Sequence, residues 1–116
     1  MNDLSERLLN FTVRCIKFLR KLPDNTEYKV IRYQLIKSST SSGANYDEAQ
    51  AGSSKADFHN KVNISLREMK ESKYWLKVLN AIMDFDYNKD EFNWLNNESN
   101  ELSKILGSIA SKTKKK

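Results

Sequence analysis

The sequence predicts an all-α protein, an antiparallel up-down-up-down four-helix bundle, and three observations carry that prediction. Only three glycines and one proline interrupt 116 residues, which favours a few long elements over many short strands. Apolar residues recur at helical spacing through four long segments separated by short polar breaks. The third observation is the stretch 38–49. Serine-rich composition usually marks a linker, yet Ile31, Leu35, Ser38, Ser42, Asn45 and Ala49 follow one helical face straight through it. Small residues on an inward face let a second helix approach closely, so the stretch reads as a helix built for tight contact.

The first helix is expected over 3–22, stopped by Pro23, with Leu4, Leu8, Phe11, Cys15, Phe18, Leu19 and Leu22 as its core stripe. The second opens at Asp24-Asn25-Thr26-Glu27, where Asp24 and Glu27 have capping-box spacing, and stops near Ala51-Gly52. The third opens at Ser54 with Asp57 three residues on and runs to about 84. Its inner face is Phe58, Val62, Ser65, Met69, Leu76 and Met83. The fourth opens at Asn88 with Glu91 three residues on and runs to about 111, facing inward through Leu95, Ser99, Leu102, Leu106 and Ile109. Loops of a few residues make neighbouring helices antiparallel. One domain over 1–111 follows, with 112–116 as a disordered basic tail.

Two helices carry a second apolar stripe. In helix one it is Leu9, Val13 and Ile16. In helix three it is Ile64, Trp75, Val78 and Ile82, roughly 120° from the core face at about 100° per residue. Scattered surface apolars are normal. A helix with two apolar faces otherwise needs a second partner, which makes these residues, with Glu71 beside Trp75, candidates for a subunit interface.

Composition bounds the function classes. Hydrophobic residues at 39% and charged residues at 30% suit a soluble globular domain rather than a disordered one. A single cysteine excludes an intramolecular disulfide framework. The N-terminus lacks a signal-peptide pattern, and no apolar run nears the roughly 20 residues of a membrane span, so a cytoplasmic protein without a membrane partner is expected. The net charge of +5 permits an anionic partner without requiring one.

No residue cluster supplies a reaction. His59, the sole histidine, lacks carboxylate or thiolate partners at ligand spacing and reads as a solvated or capping-turn residue. Cys15 sits on a core stripe and reads as a buried inert thiol. Glu48 and Glu71 have no accompanying Glu-x-x-His and read as ion-pair partners across helices or subunits. Neither a phosphate loop nor a nucleophile elbow is present. A non-enzymatic protein without metal or cofactor is therefore expected. Basic residues form two stripes: Arg7, Arg14, Lys17 and Lys21 on helix one, and Arg67, Lys70, Lys73 and Lys77 on helix three with Tyr74 among them. Such stripes can follow a phosphate backbone, with the tyrosine offering a stacking face. Solvated helix faces balanced by Glu6, Glu68 and Glu71 would look the same.

Several of these residues recur together in a known family. Leu22-Pro23, Gln34-Leu35 and Ser38 are followed by the run from Ser42 through Asn45 and Glu48 to Ala49, then Asp57-Phe58, Ser65, Glu71 and Trp75-Leu76. The chain resembles the four-helix bundle proteins of the bacterial 23S ribosomal RNA intervening sequences. The family-motif residues are Gln34, Ser38, Ser42, Asn45, Glu48, Phe58, Glu71 and Trp75. Tyr46 departs from the pattern, standing where the family usually has an aliphatic residue, and helix four matches only as an amphipathic helix. The resemblance implies a ring-like homo-oligomer, a homopentamer, and no known catalysis. A related accessory protein of diversity-generating retroelements binds a reverse transcriptase and nucleic acid. The functional expectation is thus an oligomeric protein associated with RNA or DNA, RNA first, through basic helix faces. The alternative is a scaffold docking a partner protein.

Overall fold

The computed structural model describes residues 3–52 and 54–114 and contains four helices: α1 (Asp3–Leu19), α2 (Thr26–Gln50), α3 (Lys55–Ile82) and α4 (Lys89–Thr113). Each helix packs on two neighbours, α1 on α2 and α4, and α3 on α2 and α4. Contacts between low numbers on one helix and high numbers on the next fix the directions. Ser38 meets Ser72 while Ser42 meets Ser65, and Arg7 meets Glu98 while Arg14 meets Glu91. This is the expected up-down-up-down bundle, 48 Å long and 25 × 24 Å across.

Three of the four helix starts are capped as their side chains require. Ser54 accepts a hydrogen bond from the Asp57 backbone N–H at 3.0 Å, and Asn88 from that of Glu91 at 3.1 Å. At α2 the cap is Asn25, which accepts from the Tyr28 N–H at 3.0 Å, and not Asp24 as the spacing suggested. Either side chain has the right chemistry, and the extended backbone at Asn25 settles the frame.

The ends differ more. α1 stops at Leu19, three residues short of the expected end. The residue before a proline disfavours helical backbone, and Leu22 turns back instead, donating its N–H to the Leu19 carbonyl at 3.2 Å. Arg32 of α2 reaches over this corner and donates to the carbonyls of Leu19, Leu22 and Pro23. These bonds tie the turn after α1 to α2. α3 ends two residues early, at Ile82. α4 runs on through Lys112 and Thr113, into the expected basic tail; Lys115 and Lys116 lie outside the described residues.

The serine-rich stretch is continuous helix, and its small side chains face α3. Ser38, Ser42, Ser65 and Ser72 are fully buried. Ser42 and Ser65 donate to each other's backbone carbonyls at 2.8 and 2.7 Å, and the hydroxyls of Ser38 and Ser72 lie 2.7 Å apart. Buried hydroxyls are thus paired rather than orphaned, as burial demands. On the α1 side, Thr12 donates to the Ser39 carbonyl at 3.0 Å, and a Cβ on Gly43 would stand 3.7 Å from the Cβ of Leu8. Tyr46, not Asn45, fills the buried position there. All seven expected core residues of α1 are buried. One end of the bundle is closed by aromatic edges. Phe85 and Tyr87 of the α3–α4 loop pack on Tyr28, Phe18 and Phe92, with centroids 5.7 to 6.3 Å apart.

Candidate nucleic-acid interface

The two basic stripes have different fates. On α1, Arg7 forks onto Glu98 of α4 through two hydrogen bonds of 3.0 and 2.8 Å and reaches Glu101 at 3.1 Å. Arg14 forks onto Glu91 at 2.9 and 2.6 Å, and its guanidinium lies 3.5 Å from the centroid of the Trp94 ring. These two arginines tie α1 to α4 and are not free cations. Their hydrogen bonds raise the arginine pKa values, and the Arg14 fork holds the Glu91 carboxyl below its ordinary value. Lys17 and Lys21 line a cleft of about 460 Å³ against the aromatic end, but Asp86 and Glu91 share it. Two carboxylates in the same lining oppose a phosphate.

On α3 the arrangement suits an anion. Lys70, Lys73 and Lys77 line one wall of a groove of about 680 Å³ between α3 and α4, together with Tyr74 and Asn80. The α4 wall is Asn93, Asn96, Ser99 and Asn100. Among the described residues no carboxylate lines the groove, and none of the three lysines takes part in an ion pair. Helical geometry explains the layout. Steps of three and four residues keep the lysines on one face, about 4.5 and 6 Å apart along the axis at 1.5 Å per residue. Asn93, Asn96 and Asn100 repeat the same steps on the antiparallel partner. That asparagine stripe was legible as a helical period in the sequence but carried no charge to single it out. Arg67 is exposed on α3 and does not line the groove.

Tyr74 is 57% exposed, and Trp75 packs edge-on against it with centroids 5.2 Å apart. The Trp75 indole N–H donates to the Glu71 carboxylate at 3.1 Å. Within one chain Glu71 therefore meets the indole, with no cationic partner among the described residues. Glu48 does find one, Lys61 of α3, at 3.0 Å.

The second apolar stripes also divide. On α1, Leu9 is 60% exposed and Val13 37%, with Ile16 half-buried. On α3, Ile64, Trp75, Val78 and Ile82 are all half-buried, and the last three pack against the chain's own core. The family-motif residues do not converge on one pocket. Ser38 and Ser42 lie in the buried α2–α3 seam, Gln34, Asn45, Phe58 and Trp75 are half-buried, and Glu48 and Glu71 are exposed.

Cys15 is fully buried, and desolvation pushes its thiol pKa up, which keeps it protonated. His59 lies past the first turn of α3 and keeps partial exposure, lining a groove with Phe58 and Thr113. It is half-buried against α4, with Nδ1 2.8 Å from the Thr113 hydroxyl and Nε2 3.1 Å from the Asn63 amide. Among the described residues no group of three His, Cys, Asp or Glu side chains could hold a metal ion. No described helix is long and apolar enough to cross a membrane.

The 23S rRNA-intervening sequence protein family matches residues 2–108. The chain belongs to this family. It is also similar to a protein of unknown function from the S23 ribosomal protein family of Bacteroides thetaiotaomicron VPI-5482, known from a crystal structure. Identity is 36% over 92% of this chain and 97% of that one, with a TM-score of 0.79. No curated protein matches the chain.

Proposed function

We propose that this chain is a non-enzymatic, oligomeric, nucleic-acid-associated protein. Its contact surface is the α3–α4 groove. One observation carries the reading: Lys70, Lys73 and Lys77 stand together on a groove wall that, among the described residues, holds no carboxylate. Three cations placed this way neutralise successive phosphates, and the released counterions drive binding. RNA is the first candidate, because the family is described by a ribosomal RNA element. Anisotropy titrations with labelled RNA and DNA test this. Affinity should fall steeply with salt, and the K70Q/K73Q/K77Q variant should bind more weakly, with a salt slope shallower by about 2 at roughly 0.7 per phosphate contact. No binding by the intact protein at low salt would remove the reading.

A second reading has its own support. Leu9 and Val13 expose apolar surface on α1, and such surface suits a second copy of the chain or a partner protein. Self-association to a homopentamer is compatible with a nucleic-acid role. A ring would repeat the lysine wall in each subunit and multiply the field that attracts a polyanion.

A further inference from the structure

The α3–α4 groove is furnished for more than phosphate. Lysines alone would serve a polyanion of any kind, yet four asparagines and a tyrosine share the lining with them. An asparagine amide offers two donors and an acceptor without charge. Asn80 on one wall and Asn93, Asn96 and Asn100 on the other therefore present both donors and acceptors to whatever lies between. A phosphate, an acceptor only, uses half of that capacity. The edge of a nucleobase, which carries donors and acceptors side by side, uses both.

Tyr74 adds a second feature. It is exposed in the same lining, between Lys73 and Lys77, and Trp75 buttresses it edge-on. Trp75 is in turn tethered by its hydrogen bond to Glu71. An aromatic ring held ready at the rim of a basic groove is a stacking platform for an unpaired base. In a duplex the bases are already stacked, so Tyr74 would have no free face, and with the pairing edges occupied the amides could reach only the groove edges.

Building on the phosphate contacts proposed above, we infer that the groove takes an unpaired polynucleotide strand. The lysines bind its phosphates, Tyr74 stacks a base, and the asparagines of α4 meet base edges. The site is thus selective for single strands over duplexes, with no covalent step.

The full chain can be titrated with a labelled single-stranded RNA and with a duplex of the same length and sequence at one moderate salt concentration. The single strand should bind more tightly. Y74A should weaken single-strand binding by about 5- to 150-fold, the usual effect of losing one base–aromatic stack, and leave duplex binding unchanged. Y74F should restore the loss. N96A and N100A should each reduce single-strand affinity with the salt slope unchanged, since an uncharged contact releases no counterion. Far-UV circular dichroism confirms that each variant is folded. Equal affinity for both forms, or an equal response of both to Y74A, overturns the inference while a weakened K70Q/K73Q/K77Q variant keeps the phosphate groove. Unchanged binding by that lysine variant overturns the groove itself, and the inference with it.

Discussion

At the scale of single residues, adjacent serines have opposite duties. Ser42 is fully buried and exchanges hydrogen bonds with Ser65, whereas Ser41 is half-buried and accepts from the Asn45 amide within its own helix. Ser42→Leu should cost on the order of 1–3 kcal/mol or more through overpacking, and it also removes the partner of a buried carbonyl. Ser41→Leu, about 100° around the helix, should cost much less. Thermal melts compare them, and equal midpoints would contradict the close α2–α3 seam. Glu91 makes a second case. Its carboxyl is held below its ordinary value chiefly by the Arg14 hydrogen bonds, so its contribution is complete above the unfolded value of about 4.3 and is lost as pH falls through the lower folded value. Wild type should therefore exceed Glu91→Gln in stability at neutral pH, and the gap should close in acid. Urea unfolding at several pH values measures it; a gap independent of pH would assign the loss to packing instead.

At the scale of elements, apolar periodicity located all four helices, because a repeated core stripe is a signal summed over many residues. Single boundary residues were harder to place. Asp24 and Asn25 are both good caps, and only the backbone course decides between them. Asn25→Ala should cost about 0.5–2 kcal/mol, while Asp24→Ala, which loses only an exposed contact to Lys29 at 3.5 Å, should stay within roughly 0.5 kcal/mol. A larger loss from Asp24→Ala in chemical denaturation would reverse that assignment. The aromatic closure was illegible for a related reason. Phe85 and Tyr87 sit in a loop with no period, so nothing in their spacing points to Tyr28 or Phe18. The candidate groove was half legible. Its lysines formed a visible stripe on helix three, but the asparagine wall needed the α3–α4 pairing to bring it opposite. The same pairing rule separated the two basic stripes, because the carboxylates that neutralise Arg7 and Arg14 lie more than seventy residues away in sequence.

At the scale of the whole molecule, the question is what covers the surface that the bundle leaves open. Sequence periodicity put helices one and three on equal footing as interface candidates. The fold separates them, since Trp75, Val78 and Ile82 already pack on their own core while Leu9 and Val13 remain exposed. A charge at Val78 or Ile82 would therefore disturb the monomer's packing as well as any contact between copies, and loss of assembly in such a variant would be ambiguous. Leu9 separates the two effects. It is 60% exposed, so Leu9→Glu should leave helicity and thermal midpoint nearly unchanged in a single chain. If a second copy covers this face, the substitution buries a carboxylate in an apolar contact, at a desolvation penalty large enough to dissociate the assembly. Light scattering at micromolar concentration should show wild type well above the 13.5 kDa of one chain and Leu9→Glu reduced toward it. A wild-type mass of one chain would exclude self-association. An oligomer unaffected by Leu9→Glu would move the interface from α1 to the half-buried stripe of α3. There the covering copy would have to contact Ile64 and the outer edge of Trp75, whose ring packs on Tyr74 at the rim of the lysine groove, so the subunit contact would run beside the path of a strand.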